Sequence, residues 1–271
     1  MPRRIKLSLE YDGSAFNGWQ VQSGAPAGEA GAESARTVQG VVERALRAVA
    51  GQPIRIAGAS RTDAGAHALG QVASFLLPDG VQVPTAHLCL ALNSKLDRDV
   101  AARQAEEVAL AFHAQRDAAG KVYSYSIISG PCRPALWRGT HWHVRFGLRC
   151  EPMRRAAAAL IGLHDFTSFA SKLAETQADR AADGKAALET VREIRRLELH
   201  EDPDYPGRIV MRIEGSGFLY QMVRTIAGSL VDVGRGYRGP EWLGQVLEAR
   251  DRRKAGPTAP AQGLCLEKVL Y

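Results

Sequence analysis

The sequence predicts an α+β fold of two related α/β halves with a cleft between them. Three observations point there. Strand-period alternation occurs near the start (Ile5, Leu7, Leu9, Tyr11) and again mid-chain (Tyr123, Tyr125, Ile127). Apolar residues recur at helical spacing in both halves, and no exact repeat links the halves, although their order of elements is alike. At 271 residues and 45% hydrophobic content the chain can bury one large core or two modest ones. The expected division is residues 1–112, an α/β domain carrying an acidic loop, and residues 113–271, a second α/β domain.

In chain order, Ile5, Leu7, Leu9 and Tyr11 face one side of a first strand while Arg4, Lys6, Ser8 and Glu10 face the other. A glycine-bearing turn, DGSAFNGWQVQ, follows. Ser23 to Arg36 is small, polar and unpatterned, and reads as a loop. Val38, Val41, Val42, Ala45, Leu46 and Val49 lie on one helical face, with Thr37 as its cap and Gly51 as its stop. Ile54–Ala57 and Val72–Leu77 read as strands, broken apart by Gly58, Gly65 and Gly70. A strand over KVYSYSII opens the second half. Pro152 then starts a helix over Met153–Ile161 that Gly162 ends, and Ile209, Met211 and Ile213 mark a further strand. The strongest helical stripe runs from Phe218 and Leu219 through Met222, Val223, Ile226, Ala227 and Leu230 to Val231.

Composition narrows the function classes. No apolar run approaches the ~20 residues that cross a bilayer, and the first residues alternate like a strand instead of forming a signal-peptide core, so a cytoplasmic protein is expected. Cys89, Cys132, Cys150 and Cys265 are too scattered for a zinc site or a disulfide framework and read as reduced, mostly buried thiols. The net charge of +6, from 35 Lys and Arg against 29 Asp and Glu, is modest. Its arginine clusters at Arg3–Lys6, Arg192–Arg196 and Ala249–Lys254 suit either phosphate oxygens or a solvated surface.

The chemistry-bearing stretch is Gly58–Phe75, where Arg61 and Asp63 sit among small residues. A neighbouring cation keeps an aspartate ionised, which suits a nucleophile or base; the same spacing also suits a loop ion pair or an Asx turn. Tyr123 could stack on a base and donate a hydrogen bond, or simply pack in a strand. Arg224, beside the apolar stripe of a helix that must be largely buried, requires an anionic partner, for which Asp63 would serve. Metal chemistry would have to draw on Asp12, Asp63 and His67, or on the His141-x-His143 pair, but no H-E-x-x-H is present. Gly215 and Gly217 resemble a phosphate loop only weakly, and no G-x-S-x-G elbow occurs.

SRTDAGAHALGQ resembles the R-T-D-x-G-V-H-A signature of the tRNA pseudouridine synthase A family. Further segments match in the same order: EYDGSAFNGWQVQ, TVQGVVERAL, HDFTSFAS at His164, TVREI at Thr190, GSGFLYQMVRTIAGSLVDVG at Gly215, and GPTAPAQGLCLEKVLY. The resemblance implies a pseudouridine synthase fold built on ferredoxin- or RRM-like sheets. It also implies isomerisation of uridines 38 to 40 in the tRNA anticodon stem-loop, with no redox cofactor, metal or ATP. Asp63 matches the essential aspartate, Arg61 the arginine that orients it, Tyr123 the tyrosine that stacks on the uracil, and Arg224 the arginine paired with the aspartate. A homodimer spanned by one tRNA is likewise implied. The chain departs from the pattern at Ser60 (commonly glycine), at Ala66 (usually valine), and in a longer Ser23–Arg36 loop.

Overall fold

A computed structural model of the chain describes residues 1–21, 36–184 and 186–271. The element order begins with β1 (Arg3–Tyr11), α1 (Val38–Ala50), β2 (Ala57–Gly58), β3 (His67–Leu77), α2 (Thr85–Asn93) and β4 (Val100–Val108). It continues with β5 (Gly120–Ser129), β6 (Trp142–Val144), α3 (Cys150–Ala158), β7 (Gly162–Asp165), α4 (Leu173–Ala182), β8 (Val191–Glu201), β9 (Arg208–Gly215), α5 (Met222–Gly234) and α6 (Trp242–Ala249), and it closes with β10 (Leu264–Leu270). The mixture is α+β, as the sequence predicts. Among the described residues no helix is long and apolar enough to cross a membrane.

The chain forms two compact units, Met1–Ala119 with Cys265–Tyr271, and Gly120–Leu264. The dividing point falls at 119/120 instead of 112/113, and the last strand returns to the first unit. The cause is pairing: Cys265 and Leu266 lie parallel to His67 and Ala68 of β3, and Leu270 accepts a hydrogen bond from the Ala119 amide. No local signal at residue 265 announces a partner so distant in the chain.

In the first unit the strands run β4-β1-β3-β10, with the short β2 against β3. Ile5, Leu7, Leu9 and Tyr11 are buried, as their alternation requires. In α1 the Thr37 hydroxyl accepts from the Gly40 amide and Gly51 ends the helix at φ 73°, so both sequence boundaries hold. Of the strand expected at Ile54–Ala57 only Ala57 pairs, in the two-residue β2 with Gly58. Gly70, read as a break, instead lies inside β3, which starts at His67. Of the Ser23–Arg36 loop, only Arg36 is a described residue. It pairs with Asp97 and Asp99 at 2.8 and 2.7 Å and lies over the Phe16 ring.

The second unit has strand order β5-β9-β8-β7, antiparallel throughout, with β6 parallel to β5. The expected Met153–Ile161 helix is α3, which runs from Cys150 to Ala158, and Gly162 opens β7. The great stripe helix starts later than predicted. Phe218 and Leu219 precede α5, and Gln221 at its edge is left-handed at φ 58°. Apolar spacing alone cannot separate residues inside a helix from residues that pack beside it. Helices α4 and α6 carry no signal that the periodicity reading picked up.

The His141-x-His143 pair has a structural role. His141 is 3% exposed; its Nε2 accepts from Arg208 Nε at 3.0 Å, which leaves the proton on Nδ1, facing the Thr140 hydroxyl at 2.9 Å. His143 Nε2 meets the Gly130 carbonyl at 2.8 Å. Burial, aided by the Arg208 charge, pushes the His141 pKa down to about 4 from 6.5. The unfolded chain therefore takes up a proton that the folded one refuses between those values. The stabilisation is complete above about pH 6.5 and is lost as pH falls toward 4, by on the order of 3 kcal/mol. Urea midpoints followed from pH 7 to 4 are expected to fall, and His141→Gln to flatten that part of the curve; identical curves for the two proteins would remove His141 as the cause.

Candidate active site

Asp63 lies on the connection between β2 and β3. Its carbonyl accepts from the Ala66 amide at 3.1 Å, and Gly65, third in that four-residue turn, has φ 81°. This is the conformation that favours glycine at the third position of a tight turn. The turn is held on both flanks. Gln71, fully buried on β3, donates to the Ser60 carbonyl at 2.8 Å and accepts from the Ser60 amide at 3.2 Å. Tyr11 Oη accepts from Gln71 Nε2 at 3.4 Å and shares a 2.7 Å hydrogen bond with the Thr62 hydroxyl. The Trp19 amide donates to the Thr62 carbonyl at 3.1 Å, and the Gly65 amide to the Phe16 carbonyl at 3.2 Å. Thr62 is thus buried, while Arg61 is exposed and Asp63 half-buried, on a backbone that these bonds fix.

Asp12 and His67 adjoin this turn. The Asp12 carboxylate caps a short 3-10 turn by accepting from the Ser14 amide at 2.9 Å, and His67 Nδ1 stands 3.2 Å from it while accepting from the Gly13 amide. Burial pushes the Asp12 pKa up, but the Ser14 hydrogen bonds and the His67 ring outweigh it and hold the carboxyl below its ordinary value. Among the described residues no group of three His, Cys, Asp or Glu side chains could hold a metal ion, so Asp12, Asp63 and His67 do not form the ligand set considered from sequence.

The other two candidates stand in the second unit. Tyr123 on β5 is 6% exposed and meets Phe218 edge to face, ring centres 5.3 Å apart. Tyr125, on the same face of the strand, donates to the Pro260 carbonyl at 2.7 Å. Its phenol is kept neutral by burial, against the opposing charge of Arg224. Arg224 lies in the first turn of α5. Its Nε donates to the Ala259 carbonyl at 2.7 Å, and the Ala259 amide returns a bond to the Arg224 carbonyl at 3.1 Å. The strip Gly256–Pro260 therefore fixes Arg224 and Tyr125 together.

Sequence reasoning missed Gln71, Tyr11 and Phe218 as supports of the site. Gln71 had one signal, a long polar residue entering the strand VASF; Phe218 was absorbed into the helical stripe. The arginine clusters also read differently in space. Arg3 bonds to Thr85, Val81 and Val83; Arg252 bonds to Gly256 and Thr258; Arg195 and Arg196 pair with Glu193 and Glu198. Substituting Arg3 or Arg252 would disturb local structure as well as any RNA contact. The cysteines are all free; Cys150 is buried, Cys89 and Cys265 are half-buried, and Cys132 is exposed.

Comparison with known proteins agrees with the resemblance read from sequence. The family described as tRNA pseudouridine synthase matches residues 8–116 and 156–271. The chain is 43% identical over 271 residues to tRNA pseudouridine synthase A of Myxococcus xanthus, covering 100% of this chain and 92% of that protein. It is 39% identical over 269 residues to the protein of the same name from Acetivibrio thermocellus, covering 99% and 100%. It is 41% identical over 267 residues to that of Syntrophotalea carbinolica, covering 98% and 96%.

Proposed function

The chain belongs to the tRNA pseudouridine synthase family and is an isomerase acting on tRNA, and from that premise we propose that it converts uridines 38 to 40 of the anticodon stem-loop to pseudouridine, with Asp63 as the reacting carboxylate. The N1–C1′ bond breaks, the uracil turns, and C5 bonds to C1′; the hydrogen on C5 leaves as a proton and N1 gains one. Asp63 starts this by attacking C1′, by taking the C2′ proton to give a glycal, or by adding to C6 of the ring.

The observation that best supports this reading is the support of the Asp63 turn. Its backbone is tied to Gln71, Trp19 and Phe16 and its Thr62 hydroxyl to Tyr11, while Asp63 itself is only half-buried. A group so oriented loses little freedom when a nucleotide closes over it, which is how positioning lowers a barrier. In this proposal Arg61 orients Asp63, Arg224 is the cation that pairs with it, and Tyr123 packs against the uracil. A uridine inside a stem must flip out, at a cost of a few kcal/mol offset by stacking and phosphate contacts. The working form in this reading is a cytoplasmic homodimer.

Unmodified tRNA incubated with the protein in EDTA, then mapped for pseudouridine, tests the proposal. Pseudouridine confined to positions 38 to 40 is expected. Intact, unmodified RNA would leave a binding protein, and cleaved RNA a nuclease; either outcome overturns it.

A further inference from the structure

Lys121 and Arg192 form an unassigned pair of cations in the second unit. Lys121 stands opposite Gly215 in the β5–β9 register and, by strand alternation, on the same face as Tyr123 and Tyr125, about 7 Å along from Tyr123. Arg192 comes from β8. Its Nε is 3.8 Å from where a Cβ would stand on Gly217, so its guanidinium borders the turn Gly215-Ser216-Gly217. That turn is pinned to β8: the Ser216 amide donates to the Glu193 carbonyl at 3.0 Å, and its hydroxyl accepts from the Glu193 amide at 3.2 Å. Phe218, which meets Tyr123, follows immediately.

Among the described residues no acid pairs with either cation. Among the described residues the Lys121 ammonium has no hydrogen bond or ion pair, and the one hydrogen bond from Arg192 goes to its own neighbour, the Val191 carbonyl, at 2.6 Å. Both side chains are half-buried. Burial and then the charge of Arg192 lower the Lys121 pKa, which is the mark of a cation whose surroundings disfavour its charge. On the same strand Arg195 and Arg196 do have carboxylates, Glu193 and Glu198. A half-buried cation beside another cation is stabilised by an anion brought in from outside.

We propose that Lys121 and Arg192, beside the Gly215–Gly217 turn, form a phosphate site that takes a backbone phosphate of the substrate RNA next to the nucleotide held at Tyr123. The identity of that RNA rests on the proposed function; the anion site itself does not. The pair would hold the strand while the base is everted, so its contribution falls on substrate binding.

The test uses the full-length protein and unmodified tRNA, with binding titrated at several salt concentrations. Lys121→Gln and Arg192→Gln are each expected to weaken binding about tenfold, to lower the slope of log K against log salt by about 1, and to raise KM more than they lower kcat. Lys121→Arg restores most of the affinity. Lys121→Met weakens binding yet keeps or raises the thermal midpoint, because an apolar side chain relieves the unbalanced charge. Parental affinity and salt slope in both Gln variants, or a loss of affinity in Lys121→Met that merely follows a loss of stability, would overturn the site. Binding is read without chemistry. If pseudouridine is not formed but the slopes fall, the proposed function fails alone; if it is formed and the slopes are unchanged, this site fails alone.

Discussion

Asp63→Asn is expected to reduce pseudouridine formation by at least ~1,000-fold, equivalent to about 4 kcal/mol of barrier, while tRNA binds within a few-fold of the parent. The two side chains have nearly the same shape, so the change removes the negative charge and the nucleophilic or basic oxygen and little else. The fold should survive. What holds the turn is backbone: the Asp63 carbonyl to the Ala66 amide, the Thr62 carbonyl to the Trp19 amide, and both main-chain groups of Ser60 to Gln71. Release of tritium from tRNA labelled at uracil C5 measures the reaction, since that hydrogen is lost when C5 bonds to C1′. Parental release rates in the variant would remove Asp63 from the chemistry.

The second large effect concerns Gly228 in α5. A Cβ there would run into the Pro257 carbonyl oxygen, and because the obstacle is backbone, Gly228→Ala must push the Gly256–Pro260 strip off the helix. The strip has little room to give. The Gly256 amide donates to Ser229 Oγ at 2.9 Å, and Ala259 exchanges two bonds with Arg224. A cost of about 3 kcal/mol is expected, with a fall in thermal midpoint of ~6–12 °C for a chain of this size. Activity at low temperature should fall too, since Arg224 and Tyr125 are both seated on the same strip. A thermal scan and a rate measured well below the midpoint separate the two losses; a midpoint within 2 °C of the parent (roughly 1 kcal/mol) would show that the strip yields freely.

Helix α1 was legible end to end because its signals are local: an apolar face, a threonine whose hydroxyl reaches the Gly40 amide, and a left-handed glycine. The start of α5 was not. Phe218 keeps the helical spacing but packs on Tyr123, a contact between residues far apart in sequence. Gly70 shows the converse, since a glycine that reads as a break is carried inside β3 by pairing with its neighbours. At the site, Arg61, Asp63, Tyr123 and Arg224 were identifiable as residue types within a family pattern. The burial of Tyr123 and the grip of Gln71 on Ser60 were not, because a polar residue on a strand carries no mark of its partner.

The amino-acid order by itself determined the strands β1, β5 and β9, where the first helix is capped, the α+β class and the family of the chain, since these follow from periodicity, from backbone preferences and from motifs within a few residues of one another. Only the tertiary structure decided that β10 returns to lie parallel to β3, that Gln71 and Tyr11 hold the turn bearing Asp63, and that Lys121 and Arg192 stand near the Gly215–Gly217 turn, with no acid paired to either among the described residues. Those outcomes depend on hydrogen bonds and burial shared between residues far apart along the chain. A side chain's environment there is set by whichever distant segment the sheet brings beside it.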